Sequence, residues 1–248
     1  MTEKSAGNGS GLFMFGVMLA VALIVSTSIA MGTVRRIKLT NQTITVKGYA
    51  EKDITSDWAR WQGGFKVKTT ALVAGYKELE EDLAKVIQYL KGEGVRREDV
   101  IVSSVSTSTQ YKRNEKGHQT NEIEAYFLYQ SVEISTSDTA LIDKISRGST
   151  SLIKEGVEFT SYHPEYLYTK LDELKIEMLG QATADARERA EQLASKSGGR
   201  VGRLRSAQQG VFQITPRHST EVSSCGLYST STVEKKVKAV VTIKYTIR

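Results

Sequence analysis

Leu171–Val201, LDELKIEMLGQATADARERAEQLASKSGGRV, is the stretch that decides the fold. Leu171, Leu174, Met178, Ala182, Ala186, Ala190 and Leu193 recur at three- and four-residue spacing, which places them on one face of a long helix. That face is bulky at first and mostly alanine from Ala182 onward. Alanine favours the helix and lets its axis approach closely whatever it covers. The opposite face is charged, with Asp185–Arg189 and Arg187–Glu191 as opposite charges four residues apart. Gly198 and Gly199 supply a C-terminal stop. The pattern is that of a helix laid on a sheet, and it carries architecture rather than chemistry.

Working outward, alternation marks strands on both sides of this helix. Downstream, Arg200–Ile214 reads as extended and Arg217–Thr232, rich in Ser and Thr, as a loop. The last segment alternates most clearly, with Val237, Ala239, Val241, Ile243, Tyr245 and Ile247 against Lys236, Lys238, Thr242, Lys244 and Arg248. One polar face suggests an antiparallel or mixed sheet, either as an ordinary paired member or as an edge strand open to a partner. Upstream, Thr43–Tyr49, Arg60–Thr69, Val100–Ser108, Ala125–Ser135 and Val157–His163 read as strands, with a phase change near Gln130 that suggests a bulge. Leu72, Tyr76, Leu79, Leu83, Val86 and Leu90 mark a helix ending near Gly92 and Gly94. Ser137 and Asp138 are N-caps for another through Leu141, Ile142, Ile145 and Leu152, closed by Gly156. Tyr111–Asn121 is a loop or hairpin tip. Three helices among about seven strands give an α+β protein.

The 248 residues suffice for a large core, and 40% hydrophobic with 25% charged residues is ordinary globular composition. The net charge of +6 comes from 34 basic and 28 acidic residues that are interspersed, so no clustered footprint for nucleic acid is present. Leu12–Met31 carries no charge over about 20 residues, the length of a bilayer-spanning helix. Ser28-Ile29-Ala30 resembles a small-x-small cleavage site, but the apolar run exceeds a usual signal h-region, and a retained anchor is favoured over a cleaved signal. Residues 1–11 read as a disordered tail and 32–42 as a linker. Arg35, Arg36 and Lys38 just after the span would on charge alone hold the following domain in the cytoplasm.

No catalytic, cofactor-binding or metal-ligating set emerges. His118, His163 and His218 are far apart, and His218 with Cys225, the only cysteine, matches no zinc spacing. No nucleophile elbow or phosphate-binding glycine loop is present. Gly63-Gly64 reads as a strand irregularity. Glu51, Asp53 and Asp57 are near in sequence, where surface carboxylates are the default.

Three stretches taken together resemble the SIMPL-domain family of bacterial periplasmic and envelope proteins. They are ITVKGYAEKDITSDWARW (Ile44–Trp61), LKGEGVRREDVIVSSVST (Leu90–Thr107) and ADARERAEQLASKSGGRVGRL (Ala184–Leu204). The resemblance spans about Thr43–Arg248. It implies a SIMPL-type mixed or antiparallel α+β domain at 43–248, exported and self-associating, with roles in envelope integrity or oxidative-stress tolerance and no catalytic residues to carry over. On orientation it opposes the local charge rule, a bias that large domains escape. The expected protein is a single-pass inner-membrane protein, non-enzymatic, without cofactor. Its partners are the bilayer through residues 12–31 and further copies of itself, and nucleic acid is not among them. Two other readings are a monomeric binding module and an enzyme drawing on Asp53, Asp57 or His163.

Overall fold

A computed structural model describes the backbone of residues 9–40 and 42–248, with the side chains of 9, 10, 12 and 34–40 excepted. The tail expected at residues 1–8 and the side chains of Arg35, Arg36 and Lys38 lie outside the described residues. Along the chain run α1 (Gly9–Thr40), β1 (Thr43–Thr55), β2 (Trp58–Thr69), α2 (Leu72–Gly92), β3 (Val100–Val102), β4 (Ser106–Arg113) and β5 (Gln119–Thr136). There follow α3 (Thr139–Gly148), β6 (Phe159–Ser161), β7 (Glu165–Leu167), α4 (Leu171–Lys196), β8 (Val201–Gln209), β9 (Gln213–Pro216), β10 (Leu227–Tyr228) and β11 (Glu234–Ile247). The class is α+β with two sheets; the strands are more numerous than periodicity suggested, and β1, β2 and β5 are longer than the stretches read for them. Helix α1 continues to Thr40, through most of the stretch read as a linker, and begins at Gly9, inside the stretch read as a tail.

These elements form two compact units. One comprises Glu51–Met178 and Val211–Ala239; the other comprises the chain up to Ala50, Leu179–Gly210 and Val240–Arg248.

The first unit is built on β2 and β5, paired antiparallel without a break from Ala59↔Thr136 to Thr69↔Tyr126. Its core joins Trp61, Phe65 and Val67 of β2 to Leu128, Val132 and Ile134 of β5, covered by Leu79, Val86 and Leu90 of α2 and Ile142 and Ile145 of α3. Asp138 caps α3 by accepting the Leu141 N–H at 3.0 Å, and Gly156 at φ 87° closes the following turn, as the sequence indicated. The expected irregularity near Gln130 lies on the facing chain instead. β3 pairs Val102 with Val132 and β4 pairs Ser106 with Tyr129, so three residues, Ser103–Val105, face two. Ser103 fills the gap, donating its N–H to the Ser131 carbonyl at 2.9 Å and accepting the Gln130 amide and Ser131 N–H. Gly63-Gly64 lies in unbroken register. A Cβ on Gly63 would meet the Trp61 ring at 2.7 Å, and one on Gly64 the Tyr129 ring at 2.9 Å. Close approach of aromatic rings, rather than irregularity, is what needs glycine there.

In the second unit, Ala182, Ala186, Ala190 and Ala194 of α4 are buried with Val46 and Ala50 of β1 and Val241, Ile243 and Tyr245 of β11. The buried row advances strictly by four. Leu193, expected on it, is 53% exposed, and Ala194 takes its place at 1%. The alanines let α4 touch β1 almost backbone to backbone: a Cβ on Gly48 would run into the Ala182 carbonyl and lie 2.6 Å from the Ala186 Cβ. The Tyr49 N–H donates to Asp185 at 2.8 Å, and Arg189 holds the same carboxylate at 2.8 Å. Gly198, at φ 77°, ends the helix.

Candidate functional site

Strand β11 belongs to the interior of its sheet, flanked by β1 on one side and by β8 and β9 on the other. It is therefore the ordinary paired member, not the open edge that its polar face allowed. The pairing that closes its edges comes from distant segments, which alternation does not reveal.

One open edge in the second unit is β8, and β1 is the terminal strand on the other side of β11. Strand β8 pairs antiparallel with β11 alone, from Gln209↔Val241 to Val201↔Ile247. Arg203–Gln209 is exposed throughout, and Leu204 is 57% exposed. An unpaired row of backbone donors and acceptors recruits a further strand unless charge, a bulge or cover prevents it; Arg203, Arg205 and two register shifts guard Val201–Arg205, which leaves Ser206–Gln209, in regular register with β11, as the open part. Beside this edge runs a groove of about 480 Å³ between α4 and the sheet. Leu179, Leu204, Val241, Ile243 and Tyr245 make it mainly apolar, with Ala207 on its rim. An edge next to an apolar groove is the arrangement that accepts an extended segment, with main-chain hydrogen bonds for pairing and side-chain burial for selectivity.

The residues singled out for an enzymatic reading are each engaged separately. Asp53 lies 3.2 Å from Arg217, which also approaches Glu234 at 3.9 Å; Lys236 lies 3.3 Å from Glu51 and 4.0 Å from Asp53, and Lys238 is 3.9 Å from Glu51. This is a lattice of opposite charges on one face of the sheet. Asp57 instead fixes the start of the segment before α4, accepting the N–H and the hydroxyl of Thr169, both at 2.7 Å. Burial pushes the Asp57 carboxyl up, but the two Thr169 hydrogen bonds outweigh it and hold the group below its usual value. His163 lines a polar cleft of about 290 Å³ with Gln62, Glu133, Tyr162 and the Arg60–Glu165 ion pair, whose N···O distance is 2.6 Å. The three candidates do not converge. Among the described residues, no three of His, Cys, Asp and Glu gather as a metal-binding group.

One group escaped the sequence reading. Lys235 of β11 is wholly buried, its ammonium donating to the Thr232 carbonyl, and burial pushes its pKa down to about 8. The signal was present, because Lys235 continues the inward phase of Val237, Ala239 and Val241.

A family described as SIMPL, Protein of unknown function (DUF541), matches residues 44–245. No curated protein matches the chain.

Proposed function

Because the chain belongs to the SIMPL family, we propose that it is a non-enzymatic, membrane-anchored envelope protein whose extracytoplasmic part assembles with further copies of itself. The observation that carries this reading is the open edge of β8 with its apolar groove. A second copy is the occupant that anchoring favours. Phe13–Thr33 is a 21-residue helical segment with mean hydropathy 2.3 and no residue buried, long and apolar enough to cross a bilayer. Anchors hold every copy in one plane at one height, so a β8 edge meets its counterpart at a raised effective concentration. The small-x-small stretch Ser28-Ile29-Ala30 lies inside continuous helix, which supports a retained anchor. The separation of Asp53, Asp57 and His163 supports a scaffold over an enzyme, and a scaffold suits a role in envelope integrity or tolerance of oxidative stress.

The test of the edge is Ala207→Lys, which puts a charge on the rim of the groove at an exposed position. The multimer mass of detergent-solubilised protein is expected to fall to that of one chain, with thermal unfolding unchanged. A variant that keeps the wild-type mass would remove β8 from the assembly. Orientation is read at Cys225, which is exposed. A membrane-impermeant maleimide is expected to label it in intact spheroplasts, and labelling only after lysis would place the domain in the cytoplasm.

A further inference from the structure

A second concavity in the same unit is lined by Gln42, Arg203, Leu204, Arg205, Thr246, Ile247 and Arg248, and encloses about 500 Å³. Three arginines line it and no Asp or Glu does. Six arginines elsewhere are paired with carboxylates, Arg60 with Glu165, Arg96 with Asp99, Arg147 with Asp143, Arg187 with Glu191, Arg189 with Asp185 and Arg217 with Asp53, while Arg97 and Arg113 donate to backbone carbonyls instead. Arg203, Arg205 and Arg248 take part in none of the ion pairs between described side chains.

The local backbone is built to turn these residues. Between Ser206↔Lys244 and Leu204↔Tyr245, two steps on β8 match one on β11; between Leu204↔Tyr245 and Val201↔Ile247, three match two. Each mismatch adds one residue to β8, so Arg205 and the Gly202–Arg203 step sit at successive bulges, the device by which a strand re-aims a side chain. Gly202 is required at the second, since a Cβ there would meet the Thr246 carbonyl oxygen at 3.0 Å and its hydroxyl closer still. That hydroxyl accepts the Arg203 N–H at 2.8 Å, pinning the bulge over the pocket floor.

The pocket is also close to lipid along the chain. The apolar segment ends at Thr33, α1 continues to Thr40, and Gln42, on the pocket rim, hydrogen-bonds the Ile247 N–H at 2.9 Å. Seven helical residues rise about 10 Å. The polar headgroup layer takes up about 5–7 Å of that on each side, so the end of α1, two residues before Gln42, stands a few ångström outside it.

We infer that the Arg203–Arg205–Arg248 pocket binds the phosphate of an anionic phospholipid headgroup, docking this unit onto the membrane that α1 crosses. Guanidinium forks match phosphate oxygens two at a time, and no Asp or Glu side chain lines this pocket to compete for them. The inference rests on the membrane anchor proposed above; it shares β8 with the proposed assembly, Leu204 bordering both the groove and the pocket.

Full-length protein, delipidated in neutral detergent, is offered phosphatidylglycerol or phosphatidylcholine, and retained lipid is counted by native mass spectrometry. Wild type is expected to retain phosphatidylglycerol about tenfold better. The Arg203→Gln/Arg205→Gln/Arg248→Gln variant is expected to lose that preference with an unchanged melting temperature. Lys112→Gln/Arg113→Gln/Lys116→Gln, with the same loss of charge elsewhere, is expected to keep it. Equal retention of the two lipids by wild type, or a preference surviving in the arginine variant, would overturn the inference. Displacement of phosphatidylglycerol by equimolar inorganic phosphate would overturn the lipid as the source of the phosphate. Flotation with vesicles separately tests the anchor: a chain that floats without lipid preference indicts the pocket, and one that does not float indicts the anchor.

Discussion

Gly48→Val is expected to cost about 3 kcal/mol or more of folding free energy, read as a lower midpoint in urea at unchanged slope. The new side chain would enter space held by the Ala182 carbonyl and the Ala186 Cβ, and the first of these is helix backbone. No rotamer of a neighbour can relieve it; α4 must move off β1. That motion strips the alanine row of its contacts and pulls Asp185 from the Tyr49 N–H. A domain with ordinary stability of about 5–15 kcal/mol loses a large share of it. Gly92→Ala is the control, since nothing lies within 4 Å of a Cβ there and a helical alanine costs less entropy than glycine. A Gly48→Val protein as stable as wild type would mean that α4 does not rest on β1 at this distance.

The second large effect belongs to Lys235. Its folded-state pKa of about 8 lies below the ordinary 10.5. Below about pH 8 both folded and unfolded chains are protonated, and the folded state bears the full cost of a buried ammonium. Between 8 and 10.5 the folded chain gives up its proton first, the unfolded chain binds more protons, and stability rises with pH. The shift corresponds to at most about 3 kcal/mol, and the bond to Thr232 with local relaxation reduces this to about 1–2 kcal/mol. Lys235→Met keeps the apolar stem and removes the charge, a replacement that buried ions tolerate well. The variant is expected to exceed wild type by about 1–2 kcal/mol at pH 7, with the gap closing toward pH 10. The comparison should stop there, because burial and the nearby Glu93 hold the Tyr89 hydroxyl protonated up to about 12, and stability from that group falls between 10 and 12. A gap independent of pH would show that Lys235 titrates normally.

Both effects depend on features only half legible in the sequence. The alanine row of α4 announced a close approach, but that Gly48 receives it is a fact of distant pairing. Local hydrophobicity proposed Leu193 for that row, whereas the helix continues its four-residue step and buries Ala194. Alternation in β11 was plain from Lys236 onward, and the same alternation runs inward through Lys235, which that reading assigned to neither face. For a similar reason, the pattern left the edge status of β11 open and gave none for β8. A strand's own pattern gives its faces, while its neighbours decide which edge is open. The arginine pocket exists only through two register shifts against β11, so Arg203 and Arg205 look like ordinary polar positions until that pairing is known. The capping residues Asp138, Gly156 and Gly198 were read correctly because caps are local.

Self-assembly through the soluble part is decided by absolute mass, measured by light scattering. Full-length protein in detergent is compared with a chain of residues 42–248 in plain buffer. A single full-length chain is 27.4 kDa. The same defined multiple of the chain mass is expected in both samples, because β8 and its groove are retained when α1 is removed. A multimer only when α1 is present would move the contact into the membrane, and single chains in both samples would contradict the assembly outright.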